Sequence, residues 1–511
     1  MGLEEKVKIL KELKERVKRG GGQKRIDKHH AQKKLTARER IEKLLDPDSF
    51  QETYSLASLD FSLAKQDSFG DGVVTGNGKI DGRPVCVYAQ DSTIQGGSVG
   101  VVHRYKMCQC IDTAVEMNVP LIALNDSAGG RIQKEMQISQ GSNFFSYSMA
   151  SGKVPLISAI VGNCAGNAVY GAALTDFIFM VEGIGHMTIT GPKVVKETMG
   201  EDISIEDLGG ARVHTQISGC ADFRCSSEEE CFQMIRRLVG FLPSCYREFP
   251  PRCSPEDDPN RDAEGVEALI PDNRKKYYDV RKVIEKTFDQ GSFFEVKRAF
   301  APNIVTGFAR LDGYSTGVVA NQPRFLSGAL TVDSSDKQAR FIRFCDCFNI
   351  PLIFLIDVPG YFPGKDQEYK GIIRHGAKVL YALSESTVPK VSVILRKGYG
   401  GGLTAMGGHA ALGIDRIYSW PSGEMAIMDP PAAVNVVFRE ELEKAENREE
   451  FRKAKIREFE ERFHTPYYNA ASMQIHEVIP PAETRRFLIR TMELLRRKTN
   501  PRRIFHGNIP L

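Results

Sequence analysis

Residues 74–82 read VTGNGKIDG, and residues 305–313, which begin 231 positions later, read VTGFARLDG. At the same spacing, NVPLI at 118–122 is answered by NIPLI at 349–353. Agreement over so long a register is typical of an internal duplication. The sequence therefore predicts two copies of one unit of roughly 230 residues.

Both copies show the same order of predicted elements. Two strands joined by an Asp-Gly turn are followed by an amphipathic helix, a buried strand, a second helix and another buried strand. Strands that alternate with helices are typical of α/β layers, in which ligands bind beyond the carboxyl ends of the strands. The fold class is therefore predicted to be α/β. The amphipathic helices are predicted at 101–117 and 336–348, and the buried strands at 120–126, 155–162, 351–357 and 390–396.

The domain boundary is placed near the middle of the chain. Residues 250–272 are rich in proline and acidic residues, which is typical of an interdomain linker. Residues 1–260 and 261–511 are therefore predicted as the two domains. Residues 1–45 are predicted as a basic helical lead-in, and residues 438–464 as a charged, solvated helical segment.

Composition excludes several classes of protein. The 69 lysines and arginines nearly balance the 65 aspartates and glutamates, which disfavours a strongly basic nucleic-acid-binding protein. No apolar run approaches the about 18 residues that cross a bilayer, and 41% hydrophobic residues are too many for a disordered chain. Eleven scattered cysteines in 511 residues indicate reduced thiols, and the N-terminus resembles no export signal, so a cytoplasmic location is predicted.

Two short motifs point to other activities. GGSVG at 96–100 matches the nucleophile elbow of hydrolases, with Ser98 as nucleophile, but no histidine stands in a recognisable triad context. GGGLTA at 400–405 fits a degenerate dinucleotide fingerprint, although its counterpart CAGNA lacks the pattern.

The chain has no Walker A, HExxH or paired CxxC motif, so ATP hydrolysis has no support and no metal is predicted. A Ser98 hydrolase is kept as the alternative from another enzyme class.

Four glycine-containing stretches follow the buried strands. They are Ala128-Gly129-Gly130, Cys164-Ala165-Gly166-Asn167, Pro359-Gly360 and Gly400-Gly401-Gly402. Without side chains in the way, backbone N–H groups at such positions can converge on a developing oxyanion, and the enolate of a thioester is an oxyanion of this kind. Each glycine taken alone would indicate close packing of helix on sheet. Two such pairs at equivalent positions of the repeat favour the functional interpretation.

Motifs along most of the chain form a recognisable set. They are GGGQKRIDKHH and KLTARERIEKLLD (20–46), NDSAGGRIQ (125–133), CAGNAVY (164–170), ALTDFIFMV (173–181), ITGPKVVK (189–196), LGGARVHTQISG (208–219), NQPRFLSGAL (321–330), FIRFCDCFNIPLIFLIDVPGYFPG (341–364), IIRHGAKVLYA (372–382) and NIPL (508–511). Together they resemble the carboxyltransferase (beta) subunit of biotin-dependent acyl-CoA carboxylases, propionyl-CoA carboxylase type. The same module serves transcarboxylases and sodium-pumping acyl-CoA decarboxylases.

The resemblance implies an architecture and an assembly. It implies two tandem crotonase-like domains (ββα superhelix), with a CoA-binding N-terminal half and a biotin-side C-terminal half. The expected assembly is a homohexamer, a trimer of dimers, with active sites between the N-domain of one chain and the C-domain of another. Because the chain has no Met-Lys-Met biotinylation motif and no segment of ATP-grasp size, the biotin carrier and the biotin carboxylase are expected to be other subunits. No nucleic-acid partner and no membrane insertion are expected.

The resemblance also implies a mechanism without side-chain catalysts. Carboxybiotin on the carrier loses CO₂, its ureido nitrogen takes the α-proton of the acyl-CoA, and the enolate is carboxylated. Carried over by motif, the two backbone oxyanion holes fall at Gly129-Gly130 and Gly401-Gly402, and which of them serves biotin is left open. Residues implied in substrate binding are Ala128, Arg131, Cys164, Ala165, Gly166, Asn167, Ala168, Tyr170, Leu403 and Thr404. Residues implied on the biotin side are Val358, Pro359, Gly360 and Tyr399.

The chain departs from the family's usual motifs around the acyl pocket. The usual DSGGAR reads DSAGGR at 126–131, and the second glycine of CAGGA is Asn167. Leu403 and Thr404 replace the tyrosine and the pocket-lining aspartate of GGAYDVM. We therefore expect an acyl group other than propionyl, one that is longer, branched or carboxylated. The alternatives are an acyl-CoA decarboxylase of the glutaconyl- or methylmalonyl-CoA type and a non-catalytic structural paralogue. The paralogue is motivated by Ala128, Asn167 and the DPP sequence at 429–431.

Overall fold

The two halves of the chain form two sheets of the same topology. The computed structural model describes residues 1–58, 69–131, 143–255, 257–274, 276–463 and 465–498. The strands of the first sheet are β1 (Gln51–Thr53), β2 (Val73–Ile80), β3 (Arg83–Gln90), β4 (Leu121–Ser127), β5 (Leu156–Ala165), β6 (Phe177–Val181), β7 (His186–Thr188) and β8 (Phe223–Cys225). The strands of the second are β9 (Phe294–Val296), β10 (Ile304–Leu311), β11 (Tyr314–Asn321), β12 (Leu352–Val358), β13 (Lys390–Tyr399), β14 (Arg416–Ser419), β15 (Glu424–Ala426) and β16 (Glu477–Val478). Their orders are β1-β2-β3-β4-β5-β6-β8 and β9-β10-β11-β12-β13-β14-β16, and β7 and β15 pair with β5 and β13.

The helices divide between two compact units, Met1–Phe249 and Pro250–Leu511. Those of the first unit are α1 (Leu3–Lys18), α2 (Gln23–Ala31), α3 (Ala37–Leu44), α4 (Val101–Met117), α5 (Asn143–Ala150), α6 (Asn167–Ala173), α7 (Pro192–Met199), α8 (Ile205–Gly209) and α9 (Glu228–Phe241). Those of the second are α10 (Val280–Thr287), α11 (Val332–Cys347), α12 (Lys365–Tyr369), α13 (Ile372–Glu385), α14 (Gly400–Ala405), α15 (Pro430–Val437), α16 (Arg439–Lys444), α17 (Arg448–Phe463), α18 (Pro466–Ala471) and α19 (Thr484–Leu495). The NIPL motif at 508–511 and residues 132–133 of NDSAGGRIQ lie outside the described residues.

Each sheet contains the predicted Asp-Gly hairpin. Strands β2 and β3 pair antiparallel, and Asp81 and Gly82 between them both have positive φ. Two positive-φ residues form the turn whose twist matches paired strands, which explains the Asp-Gly sequence. Asp312 and Gly313 connect β10 and β11 in the same way.

The parallel strands repeat the register of the sequence. Strand β3 pairs with β4, and β11 with β12, in registers that differ by 231 residues. The next pair contains a three-residue slip, because Leu121 pairs with Leu156 whereas Leu352 pairs with Lys390. The predicted α/β duplication is confirmed.

Each sheet is covered by helices of its own unit. In the first unit, Tyr88 of β3 belongs to a buried cluster with Ile111 and Ala114 of α4. In the second, strand residues pack with Ile284 of α10 and Leu488 of α19. Burial of one face of each sheet under helices is the usual way such layers are stabilised.

The structure gives all eleven cysteines as free thiols, seven of them buried. No helix among the described residues is both long enough and apolar enough to cross a bilayer.

Two element boundaries differ from the sequence prediction. Helix α11 begins at Val332, four residues before the predicted start, because Thr331 and Ser334 form a capping box. Strands β5 and β13 extend to Ala165 and Tyr399 because β7 and β15 pair with their last residues. These two residues therefore lie in strands rather than in loops.

Residues 250–272, predicted as a linker, are largely part of the second unit. Ala263 and Val266 are fully buried in its core, and Arg261 forms an ion pair with Asp257 at 2.6 Å. The proline and acidic residues of this segment dominate its composition, but its few apolar residues decide its packing.

A buried carboxylate, Asp126, is the next-to-last residue of strand β4, which leads into the first glycine-containing loop. Arg40 of α3 binds it at 3.0 Å and also pairs with Glu228, and Lys34 binds it at 3.1 Å. Burial alone would raise the pKa of Asp126, but His29, Arg40 and Lys34 together hold that pKa below its usual range. Basic residues of the predicted lead-in, residues 1–45, therefore pair with a buried carboxylate of the first sheet.

The equivalent carboxylate of the second unit, Asp357, obtains its cation from the sheet itself. Arg396 of β13 binds Asp357 at 3.0 Å, and both side chains are buried. The position equivalent to Arg396 in the first unit is Gly162, where an added Cβ would lie 2.0 Å from the Asp126 carboxylate. The two copies thus pair equivalent buried carboxylates with cations from different elements, α3 in the first unit and β13 in the second.

Arg40→Met is expected to destabilise the first unit by about 3–5 kcal/mol, because it leaves two buried carboxylates without their shared cation. Lys43→Met on the same helix is the matched control, since the Lys43–Glu229 pair is half-exposed and is worth at most about 1 kcal/mol. The urea midpoint of unfolding measures both. Equal midpoints for the two variants would contradict this account of Arg40.

Candidate functional site

The loop after β4 presents one open backbone donor. The N–H groups of Ala128 and Gly129 donate to the Gly96 carbonyl at 3.0 Å and to Ser127 Oγ at 3.1 Å. Gly129 has a φ of 96°, a conformation that favours glycine. The N–H of Gly130 has no hydrogen-bond partner in the part of the chain that the structure describes. Of the predicted Gly129-Gly130 pair, only Gly130 has an uncommitted donor.

Two more open donors follow strand β5. Gly166 directly follows β5 and has a φ of 58°, and it donates its N–H to the Thr188 carbonyl at 3.0 Å. Helix α6 begins at Asn167, and the first N–H groups of a helix have no partner within it. The N–H groups of Asn167 and Ala168 accordingly have none among the described residues.

These three donors border one cavity of about 210 Å³ in the first unit. It is smaller than the roughly 300–1,000 Å³ of pockets that enclose drug-sized ligands, so its size suits a short chemical group. The lining residues are Tyr88, Gln90, Val99, Arg104, Met107, Asn125, Gly130, Asn143, Phe144, Asn167, Ala168 and Gly171.

The cavity can stabilise an anion, but its described wall offers no side-chain base. None of the described residues that line it is an aspartate, glutamate, histidine, cysteine or lysine. Tyr88 donates to Asn125 Oδ1 at 3.3 Å and lies 2.6 Å from the Tyr147 hydroxyl, and burial raises the pKa of Tyr88 well above its usual value. Gln90 accepts the N–H of Asp126 at 3.2 Å. These wall groups are committed to each other, which leaves the backbone donors for a ligand.

Other predicted residues of the first unit lie around this cavity without lining it. Arg131 forms an ion pair with Asp71 at 2.8 Å and donates to the Ser98 carbonyl at 2.9 Å. Burial raises the pKa of the Cys164 thiol to about 12, so this cysteine is a neutral core residue. Tyr170 is half-exposed and packs edge-on against Phe144.

The second unit repeats the backbone arrangement of this loop, with other residues at three of its positions. Gly360 has a φ of 132°, and its carbonyl accepts the Leu330 N–H at 3.0 Å, just as the Gly129 carbonyl accepts the Val99 N–H at 2.8 Å. The next residue, equivalent to Gly130, is Tyr361. Val358 and Pro359 lead from β12 into this loop and do not line the neighbouring cavity.

A larger cavity of about 600 Å³ lies against α14. Gly400, with a φ of 54°, begins this helix, so the predicted loop 400–402 is a first helical turn. The N–H groups of Gly401 and Gly402 have no partner among the described residues. The lining residues are Gly400, Gly401, Leu403, Thr404, His409, Met425, Ala426, Ile427, Met428, Ala433, Val436, Val437, Phe459, Tyr468, Asn469 and Gln474.

The remaining predicted residues of the second unit support this cavity. Gly402 packs against the next loop, where an added Cβ would lie 2.7 Å from the Gly360 Cα. The Tyr399 hydroxyl is hydrogen-bonded to Glu424 and is turned to the buried interior. Thr404 Oγ donates to the Gly400 carbonyl at 3.3 Å.

Sequence reasoning missed several cavity residues. Asn125 could have been found, because it precedes Asp126 at the carboxyl end of a buried strand. Arg104 lies in a helix whose sequence marks no site, and His409 stands in no recognisable motif. Burial lowers the pKa of His409, which keeps its imidazole neutral at pH 7.

The hydrolase alternative is wrong. Ser98 Oγ donates to the Gln95 carbonyl at 2.8 Å and accepts from Arg131 at 3.3 Å. In a Ser-His-Asp triad the serine hydroxyl donates to a histidine, whereas Ser98 Oγ donates to a backbone carbonyl.

Comparison with known proteins gives matches over the whole length of the chain. The carboxyl transferase domain family matches residues 28–509. The carboxyltransferase subunit of propionyl-CoA carboxylase from Haloferax mediterranei is 48% identical over the full length of both chains. Methylmalonyl-CoA decarboxylase subunit alpha from Veillonella parvula is 46% identical over 100% of this chain and 99% of its own. A crystal structure of the hexameric transcarboxylase 12S with methylmalonyl-CoA bound superposes with a TM-score of 0.96, at 44% identity over 100% of this chain and 99% of that one.

Gly402→Ala is expected to destabilise the second unit by about 1–3 kcal/mol, because its Cβ would collide with backbone atoms of Gly360. Gly401→Ala is the matched control, since its Cβ would lie at an ordinary 3.7 Å from the Tyr361 ring. Urea unfolding midpoints measure the difference. A Gly401→Ala midpoint as low as that of Gly402→Ala would show that this close approach is not what requires glycine.

Proposed function

This chain belongs to the carboxyl transferase family, and we propose that it moves a carboxyl group between carboxybiotin on a carrier protein and the α carbon of an acyl-CoA. One observation carries the proposal. Among the described residues, the first-unit cavity combines three open backbone N–H groups with a wall that has no side-chain base. Such a site stabilises an enolate oxygen but does not itself remove the α-proton.

The N–H groups of Gly130, Asn167 and Ala168 act on the thioester oxygen. Negative charge develops on that oxygen as the α-proton leaves, and donors fixed in the backbone stabilise it without reorganisation. The small cavity restricts the acyl group, and the described residues of its wall supply no competing base. We therefore assign the CoA-binding role to the N-terminal half, predicted as residues 1–260.

The second-unit cavity fits a biotin ring. Its walls are mostly apolar, with Leu403, Met425 and Val436 among them, which suits the carbon skeleton of the bicycle. Gly401, at its edge, has an open N–H for the ureido oxygen. When bound, carboxybiotin supplies the carboxyl group. We assign the biotin side to the C-terminal half, predicted as residues 261–511, with Gly401-Gly402 as its donors and Val358, Pro359, Gly360 and Tyr399 as supporting residues.

We further propose that the chain works in the cytoplasm as a homohexamer, a trimer of dimers, with a biotin carrier and a biotin carboxylase on separate subunits. The hexamer of the transcarboxylase 12S relative supports this assembly. The acyl group stays a prediction from Leu403 and Thr404. These residues line the second-unit cavity, and they would face the acyl group in the proposed hexamer, where the resemblance implies active sites between the N-domain of one chain and the C-domain of another.

Purified chain supplied with free biotin is expected to decarboxylate malonyl-CoA and methylmalonyl-CoA, because the open donors stabilise the enolate that loss of CO₂ produces. Thioester products separated by chromatography measure the rate, with and without biotin. Ser98→Ala is the matched control and is expected to keep the full rate. No biotin-dependent turnover of these thioesters or of glutaconyl-CoA, from a folded oligomer, would favour the non-catalytic paralogue instead.

The replacement of the pocket aspartate by Thr404 predicts a changed acyl preference. Carboxylation rates for acetyl-, propionyl- and butyryl-CoA and decarboxylation of glutaconyl-CoA, measured side by side, are expected to rank another acyl group above propionyl. A preference for propionyl-CoA by a wide margin would contradict the prediction. Thr404→Asp is the informative variant, since it is expected to move the preference toward propionyl.

A further inference from the structure

The two copies of the fold have equivalent β-bridges beside the cavity position, and one residue of this bridge differs greatly in size between them. In the first unit, Val99 and Gly130 form an isolated parallel bridge, and both line the cavity. The equivalent bridge of the second unit joins Leu330 to Tyr361. Position 130 therefore has no side chain, whereas its counterpart has a phenol ring.

The Tyr361 ring lies where the elements equivalent to the cavity walls meet. Gly401, equivalent to the cavity residue Asn167, would place an added Cβ 3.7 Å from the ring. Gly376 of α13 would place one 2.9 Å from the phenol oxygen. Burial raises the pKa of Tyr361 to about 12, and the Ser335 side chain, at the position of the cavity residue Arg104, partly opposes that rise.

A side chain at position 130 would enter space that no described residue fills. Among the described residues, a Cβ added to Gly130 meets no atom within 4 Å, and Gly130 does not have positive φ. The protein can therefore accept alanine here without strain, unlike at Gly129, where an added Cβ would lie 2.7 Å from the Ala165 carbonyl oxygen. The absence of a side chain at 130 is not required by the backbone.

We propose that this bridge position determines acyl specificity: Gly130 keeps the first-unit cavity open to a short acyl group, and the Tyr361 ring closes the same space in the second unit. The inference rests on the proposed function. It assigns one acyl site to each chain, and it makes the size of residue 130 the limit on the acyl group.

Calorimetric titration of the full chain with CoA, acetyl-CoA and butyryl-CoA tests the first half. Gly130→Ala and Gly130→Val are expected to weaken butyryl-CoA binding progressively, by about tenfold for valine, while CoA binding stays within about twofold. Gly191→Ala is the matched control, since its added Cβ also meets nothing within 4 Å. An unchanged ratio of butyryl-CoA to CoA affinity in Gly130→Val would overturn this half. Failure of the wild-type chain to bind any CoA compound would overturn the proposed function as well.

Stoichiometry tests the second half. Wild type and Tyr361→Phe, which keeps the ring, are expected to bind one butyryl-CoA per chain, and Tyr361→Ala is expected to bind more than one. A stoichiometry that stays at one in Tyr361→Ala would overturn the assignment of Tyr361 as the closing residue. Oligomer size and far-UV circular dichroism, unchanged from wild type, are the expected check that each variant is folded.

Discussion

A charge buried at the end of a central strand is the constraint on which both halves depend. Asp126 and Asp357 each stand directly before a glycine-containing loop, and an unpaired carboxylate there would be strongly destabilising. In the first unit Arg40 reaches the carboxylate from the N-terminal helices. In the second, Arg396 reaches it from the adjacent strand. The loop that follows each paired carboxylate is held by a hydrogen bond of its own, from the Val99 N–H to the Gly129 carbonyl or from the Leu330 N–H to the Gly360 carbonyl.

Fixed loops explain how a site can work without catalytic side chains. In each loop one carbonyl, that of Gly129 or Gly360, accepts an N–H from the segment opposite it. Beside each cavity, a small set of N–H groups has no hydrogen-bond partner among the described residues. Fixed dipoles of this kind stabilise developing charge because they are already oriented before the reaction begins. The two cavities nevertheless differ, since one is small and partly polar and the other is large and mostly apolar.

Much of the fold could be predicted from sequence because duplication leaves a register. The Asp-Gly hairpins, the buried strands and the glycine-containing loops all follow from local pattern and spacing. Prediction failed where long-range packing overrode composition, as in the proline-rich and acidic segment whose Ala263 and Val266 are core residues. It also failed for Arg104 and His409, since a lone polar residue on a helix or in a loop carries no signal of the cavity it lines.

The sequence by itself determined the duplication, the α/β class and the positions of the glycine loops, because these depend on periodicity and on residues with special backbone freedom. Only the tertiary structure decided which N–H groups stay open. Residues 129 and 130 are both glycines, yet the Gly129 N–H donates to Ser127 Oγ and the Gly130 N–H has no partner among the described residues. Tertiary structure also decided that Arg40 belongs to Asp126 and that Tyr361 occupies the counterpart of a cavity. These are contacts between residues far apart in the chain, and no local pattern encodes them.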